Sequence, residues 1–314
     1  MNASNLHGNL RAALYWTCAN EQSEMAVRLA GSLYPMWDLH GHYREGLAWL
    51  KRVLALDGGG VPGVIRARAL MGVATLATIQ NDLELGASAC EEAAGLCTEA
   101  GDGAGLAHAL QYLGLGATLA GELEVADDLL MQSLDHARQA EDDWLEAWAH
   151  IFQGGLALSR EDHDGAIRCA DLSSRPAQRA GDAECIAWGQ LIAATGHLLK
   201  ADTDHAIPGI RAGLIAFQRL GGLWGLSVAI FVCALRAANA QDWEHALSLF
   251  GASERLRVSI GATLMTFMAD RLEAFRLKAH TELGGIAHQW WHEGEDLTLE
   301  DAVSRSLAEL DTAR

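Results

Sequence analysis

With half of its 314 residues hydrophobic and a fifth charged, the chain has the composition of a folded protein, and this argues against disorder. Its formal charge of −18 opposes direct binding of DNA or RNA by this segment and association with anionic membranes. No apolar run reaches the length of a membrane span and the opening MNASNLHGNL has no signal pattern, so the expected location is cytoplasmic, with six irregularly spaced cysteines reduced and mostly buried.

In chain order, helical patterns run from Leu10 to Ala19, Ser23 to Leu39 and Tyr43 to Leu56, broken at His40-Gly41-His42 and at Asp57–Gly63. The triple glycine of the second break is not a phosphate loop, because it lacks a GK[ST] ending and no strand precedes it. From residue 66 a 40-residue register sets in. One column reads Asp82, Glu122, Asp162, Asp202 and Asp242; two residues on it reads Glu84, Glu124, Asp164, Asp204 and Glu244. Small residues form further columns, such as Ala74, Gly114, Gly154, Ala194 and Ala234. Such columns mean one two-helix unit stacked on copies of itself, a solenoid. The acids fall where second helices begin, and there a carboxylate meets unpaired N–H groups and the positive end of the helix dipole. Small residues allow the two helices of a hairpin to approach. Each unit stops at Gly101, Glu141, Gly181, Gly221 or Gly261. Glycine suits a left-handed cap, so the junction at Glu141 is expected to lack one.

Beyond residue 262 the register is lost. Helices are expected from Leu264 to Leu283 and from Gly285 to Glu293, and Thr298-Leu299-Glu300-Asp301 reads as a capping box opening a last helix to about Leu310. The expectation is all-α: a TPR-like alpha-alpha superhelix of about sixteen helices and one continuous domain. Residues 1–65 hold N-terminal helices, 66–262 five regular repeats and 263–314 capping helices.

Small residues at 74, 86 and 93 have the spacing of the tetratricopeptide (TPR) consensus, with lengthened helices. The chain further resembles the C-terminal TPR region of bacterial LuxR-type and AfsR/SARP-type regulators, which often carry a STAND-type ATPase domain. The stretches that carry this are Asn9–Leu14, Gly41–Leu50, Leu249–Arg257, Ile260–Ala262, Trp290 or Trp291, Gly294 and Leu297–Ala302. There is no Walker A sequence and no basic helix-turn-helix segment, so the resemblance implies the sensor arm of such a regulator, with DNA bound elsewhere.

TPR arms turn the first helix of each unit toward a concave face. On this pattern the candidate binding residues are Arg68, His108, Gln111, Tyr112, Trp148, Phe152, Trp188 and Phe231, an aromatic and weakly charged wall with Trp148 and Trp188 side by side. Its expected occupant is a protein segment, a peptide or an apolar small molecule such as an inducer. Packing of the same aromatics between helices is the competing reading. His288 and His292, and His40 and His42, lack companions at ligand spacing, so no metal and no cofactor is expected. No nucleophile elbow or nucleotide fingerprint points to catalysis. The alternative function is a scaffold that self-associates as a homodimer, and a helical enzyme comes third.

Overall fold

The computed structural model describes the backbone of residues 3–312 and the side chains of residues 8–311, so the opening MNASNLHGNL lies largely outside the described side chains. Its helices are α1 (Ala3–Ala19), α2 (Ser23–Leu39), α3 (Tyr43–Ala55), α4 (Gly63–Ile79), α5 (Leu83–Ala100), α6 (Gly103–Ala120), α7 (Leu123–Gln139) and α8 (Asp143–Ser159). They continue as α9 (His163–Ala180), α10 (Ala183–Leu199), α11 (Thr203–Leu220), α12 (Leu223–Asn239), α13 (Trp243–Ile260), α14 (Thr266–Leu283), α15 (Gly285–Asp296) and α16 (Leu299–Thr312). The chain is an all-α helical-repeat solenoid, with no strand among the described residues.

The 40-residue register resolves into a 20-residue beat. Left-handed backbone recurs at Glu21, Gly41, Asn81, Gly101, Gly121, Glu141, Glu161, Gly181, Ala201, Gly221, Gln241 and Gly261. At each turn the next N–H reaches back to a carbonyl five residues earlier, as in Asp102 N–H to Cys97 O (2.8 Å) and Asp182 N–H to Ala177 O (3.1 Å). This is the Schellman closure, which satisfies the carbonyls a helix end leaves free. The residue after the turn then caps the following helix: Asp82, Asp102, Asp142, Asp162, Asp182, Asp202 and Asp242 each accept an N–H of the first turn. Glu141 departs from expectation. Its φ is +53°, and Asp142 N–H still closes on Ala137 O at 3.1 Å. The geometry of the hairpin, repeated at every other junction, overrides the preference of a side chain for negative φ. The beat skips only residue 61, where Asp57–Pro62 replaces the tight turn and Asp57 Oδ1 accepts the N–H groups of Gly59 and Val61.

Small columns mark the crossings. A Cβ on Gly114 would lie 2.7 Å from Leu130, and one on Gly154 2.9 Å from Ile192. The serines of one column donate across the hairpin: Ser133 Oγ to Ala107 O (2.9 Å) and Ser253 Oγ to Ser227 O (2.8 Å). At the C-terminal end α15 lies backbone to backbone on α13, since a Cβ on Gly294 would fall 1.9 Å from Ser248 O and one on Gly251 2.2 Å from Trp291 O. Thr298 caps α16 through Asp301 N–H (3.1 Å), and the buried pair Arg236–Glu309 fastens α16 to α12.

Two features of the architecture were not expected. The turn after α2 meets the far end of the solenoid: His40 Nδ1 lies 3.4 Å from Gly221 O, and a Cβ on Gly41 would lie 2.8 Å from Ile260 and 3.3 Å from Leu223. Ile260 and Ala262 belong to the same core as Trp37 and Tyr43, so the superhelix closes into a ring. Second, the connection between α13 and α14 turns inward. Thr263 N–H donates to Ile79 O (2.7 Å), Thr266 Oγ1 to Leu119 O (3.3 Å), and Phe267 packs in the cluster that includes Trp148 and Trp188. Residues 263–268 form a strap across the inside of the ring.

Candidate functional site

The inner wall is built by α2, α4, α6, α8, α10 and α12. Burying an Ala-rich face such as Ala67, Ala107, Ala147 and Ala187 against neighbouring helices leaves the next residue of each helix turned inward, which puts Arg68, His108, Trp148 and Trp188 in one register. His108, Trp144, Trp148, Phe152 and Tyr112 form a closed circuit of ring contacts. The centroid spacings are 5.2 Å (His108–Trp144), 6.2 Å (Trp144–Trp148), 5.6 Å (Trp148–Phe152), 5.5 Å (Phe152–Tyr112) and 5.6 Å (Tyr112–His108). Trp148 and Trp188 line the same chamber without stacking; Trp188 packs on Trp224 and Phe217, each at 5.1 Å.

Six of the eight residues expected on the concave face lie there: Arg68, His108, Tyr112, Trp148, Phe152 and Trp188. Gln111 and Phe231 do not. Gln111 is wholly buried, its Nε2 donating to Leu145 O (2.7 Å), and Phe231 packs on Phe250 at 5.1 Å inside the wall. One helical step, about 100°, separates Gln111 from its inward neighbour Tyr112.

The wall divides into two spaces. An open groove of about 650 Å³ runs over Tyr34, Arg68, Met71, His108 and Trp144. Beyond the aromatic circuit is an apolar chamber between Trp148, Phe152, Trp188 and Trp224; Met265 and Phe267 of the strap leave only about 70 Å³ of it.

The lumen also holds two carboxylates that the sequence reading passed over. Asp38 stands one turn after Tyr34 on α2, and Glu184 one turn before Trp188 on α10. Burial, then the charge of Glu184, holds Asp38 well above the usual carboxylate range. Burial, then Asp182, raises Glu184 to about 7, opposed by a hydrogen bond from Trp188. Tyr43 is fully buried, its hydroxyl has no hydrogen-bond partner, and burial followed by the charges of Asp38 and Glu184 pushes its ionisation up. Across the groove, burial and then Arg68 lower His108 to about 4, so its imidazole is neutral at physiological pH. Asp182, by contrast, is engaged: it caps α10 and accepts the indole N–H groups of Trp144 (2.7 Å) and Trp148 (2.9 Å).

Outside the ring, His197, Asp202 and His205 bring three potential metal-ligand atoms within 4.8 Å of one another. Of the histidine pairs that the sequence offered, and from which no metal site was expected, His288 and His292 stand 4.2 Å apart by ring centroid with Glu295 on His292, and His40 faces Gly221 O. The missed signal was a column, for position 197 is histidine where Ala77, Ala117, Ala157 and Ala237 occupy the other repeats.

No family model matches the chain. Among curated proteins, HTH-type transcriptional regulators of Mycobacterium bovis and Mycobacterium tuberculosis are 30% identical over 191 residues, or 57% of this chain. The chain spans 21% of their length. Among solved structures, a Rap protein complexed with Competence and Sporulation Factor aligns with a TM-score of 0.64 at 12% identity, covering 93% of this chain and 77% of that one. BtubC from P. vanneervenii aligns at 0.52 and 13% identity, covering 67% of this chain and 91% of that one. At these identities the structural likeness is one of fold. Among the described residues no helix is long and apolar enough to cross a membrane.

Proposed function

We propose that this chain is the non-catalytic sensor or interaction arm of a bacterial transcriptional regulator of the LuxR or AfsR/SARP kind, acting in the cytoplasm. It takes a peptide, protein segment or apolar small molecule on the inner wall of its ring. The observation that carries this reading is the aromatic wall itself: five contacting rings and the Trp188–Trp224 pair converge on a space that only a short strap fills. Relatives named as transcriptional regulators, and a fold neighbour solved in complex with Competence and Sporulation Factor, support it. A ligand entering the chamber displaces Phe267 and Met265, and the strap transmits that change to α14 and the closure at Gly41. No such transfer of signal needs a reacting group.

Trp188→Ala and Trp148→Ala test the reading in a thermal-shift and fluorescence screen against peptides and apolar small molecules. The expected result is a folded variant that no longer responds to hits of the parent chain. Variants that lose much stability while binding persists would mean that these rings are packing alone.

A further inference from the structure

Three places in the molecule hold chemistry that the reading above does not use: the carboxylates inside the ring, the His–Asp–His cluster at the α10–α11 turn, and the buried pair under α16. The last closes on itself, because Arg236 and Glu309 satisfy each other. The first goes furthest.

We propose that the lumen is a receptor for an organic cation: a protonated amine or guanidinium on an apolar body, lodged between Asp38 and Glu184 against the aromatic wall. This rests on the inner wall being the binding surface. The two acids come from helices far apart in sequence, α2 and α10, and in the ring that closes at His40 and Gly221 the charge of Glu184 acts on Asp38. Among the described residues neither has an ion-pair partner, whereas acids on the outer face commonly do, as Asp127 with Arg160 (2.8 Å) and Asp143 with Arg179. Arg68, which lines the groove, donates to Gly31 O (3.3 Å) and forms no ion pair with either acid. Tyr43 supplies an independent sign. Its hydroxyl is buried, unpartnered and within the field of both acids, so hydrogen-bonding capacity stands unmet beside them. A buried polar group without a partner costs free energy, and an unpaired charge more. A cation compensates both acids at once. An anion would be repelled, and a neutral ligand would leave both carboxylates uncompensated. The faces of Trp188, Trp224 and Tyr112 then add cation–π attraction to apolar contact.

The test compares probes that share a body and differ in head group: 4-phenylbutylamine, 4-phenylbutanol and 4-phenylbutyrate, titrated into the full chain and followed by tryptophan fluorescence and calorimetry. The amine should bind about tenfold or more tighter than the alcohol, the butyrate least. Asp38→Asn and Glu184→Gln should each erase most of that preference while leaving the alcohol's affinity alone. A peptide arm, an acetylated and amidated tripeptide of leucine, arginine and phenylalanine against its citrulline counterpart, separates a basic side chain from a small amine as the source. Equal binding of amine and alcohol, or a preference that survives the double variant, overturns the cation and leaves the inner-wall reading standing. Binding of no probe in either arm overturns both.

A different observation carries a second proposal. The geometry at His197, Asp202 and His205 points to a site for a divalent transition metal such as Zn²⁺. Asp202 already draws both imidazoles, His197 Nδ1 at 3.1 Å and His205 Nδ1 at 2.8 Å, and the rings lie stacked with centroids 5.2 Å apart. The following repeat has the Asp242–His245 pair without a second histidine, so His197 is the departure that completes a three-ligand set. Zn²⁺ should bind with one-to-one stoichiometry in calorimetry and raise the melting temperature, and both effects should vanish in His197→Ala but persist in His245→Ala. Equal zinc binding by parent and His197→Ala, or no binding at all, refutes the site.

Discussion

Replacing Glu184 by glutamine should stabilise the protein at alkaline pH. Glu184 titrates near 7 in the fold against 4.5 for the free side chain, so between those values the native state holds a proton that the unfolded chain has released. Stability conferred by this residue therefore falls as pH rises from about 4.5 to 7 and stays low above. At about 1.4 kcal/mol per pH unit the ceiling is about 3 kcal/mol; water in the lumen lowers the realistic gain for Glu184→Gln to about 1–2 kcal/mol at pH 8. The glutamine keeps an acceptor for the Trp188 indole. The charge of Glu184 also raises Asp38, Tyr43 and Tyr112, so the substitution relieves these neighbours as well. His108 has the opposite slope: lowered to about 4, it confers stability that is present above about 6.5 and lost as pH falls. The parent's profile mixes both, so the informative quantity is variant minus parent. Urea titrations at pH 5 and pH 8, followed by circular dichroism, should show a difference near zero at pH 5 and a gain at pH 8. A Glu184→Gln protein less stable than the parent at pH 8 would refute the unpaired-charge argument.

Other substitutions probe the frame. Gly294→Ala pushes a methyl into Ser248 of α13 and should cost about 3 kcal/mol or more, loosening the C-terminal cap, whereas Gly95→Ala, with open space around it, should gain up to about 1 kcal/mol; thermal melts compare them. Glu141→Gly relieves left-handed strain and should gain a few tenths to about 1 kcal/mol in urea unfolding, despite the entropy glycine brings to the unfolded chain. Arg236→Ala breaks the buried ion pair with Glu309 that joins α12 to α16 and should cost about 3–5 kcal/mol, read as early loss of α16 by hydrogen exchange. Phe267→Ala should empty the chamber and shift tryptophan emission to the red with little loss of helicity. Light scattering at high concentration separates a sensor arm from a self-associating scaffold, which would be dimeric.

The repeat helices were legible because the repeat writes its own instructions: Asp caps on seven of them, a periodic small face and a turn residue every twentieth position. Ser23–Leu39 was readable to the residue. The error at Glu141 came from weighing one side chain's preference against a hairpin whose other contacts were already fixed. His108, Trp148 and Trp188 were placed on the inner wall because a repeat column states which way a residue faces. Asp38 and Glu184 were not, since no column contains both and their meeting depends on closure between residues 181 apart. The strap was hidden for a related reason: Thr263–Met268 has lost the register, and nothing local says that it turns inward rather than caps outward.

Solenoids ordinarily grow or shrink by whole modules, since each touches only its neighbours. Here the contact of His40 and Gly41 with Gly221 and Ile260 removes that freedom. Delete or duplicate one 40-residue module and the two ends no longer arrive at the same place. Module number in this chain is thus a fixed dimension, like the circumference of a bracelet whose clasp must meet, and length variants should be rare among proteins that keep the clasp residues.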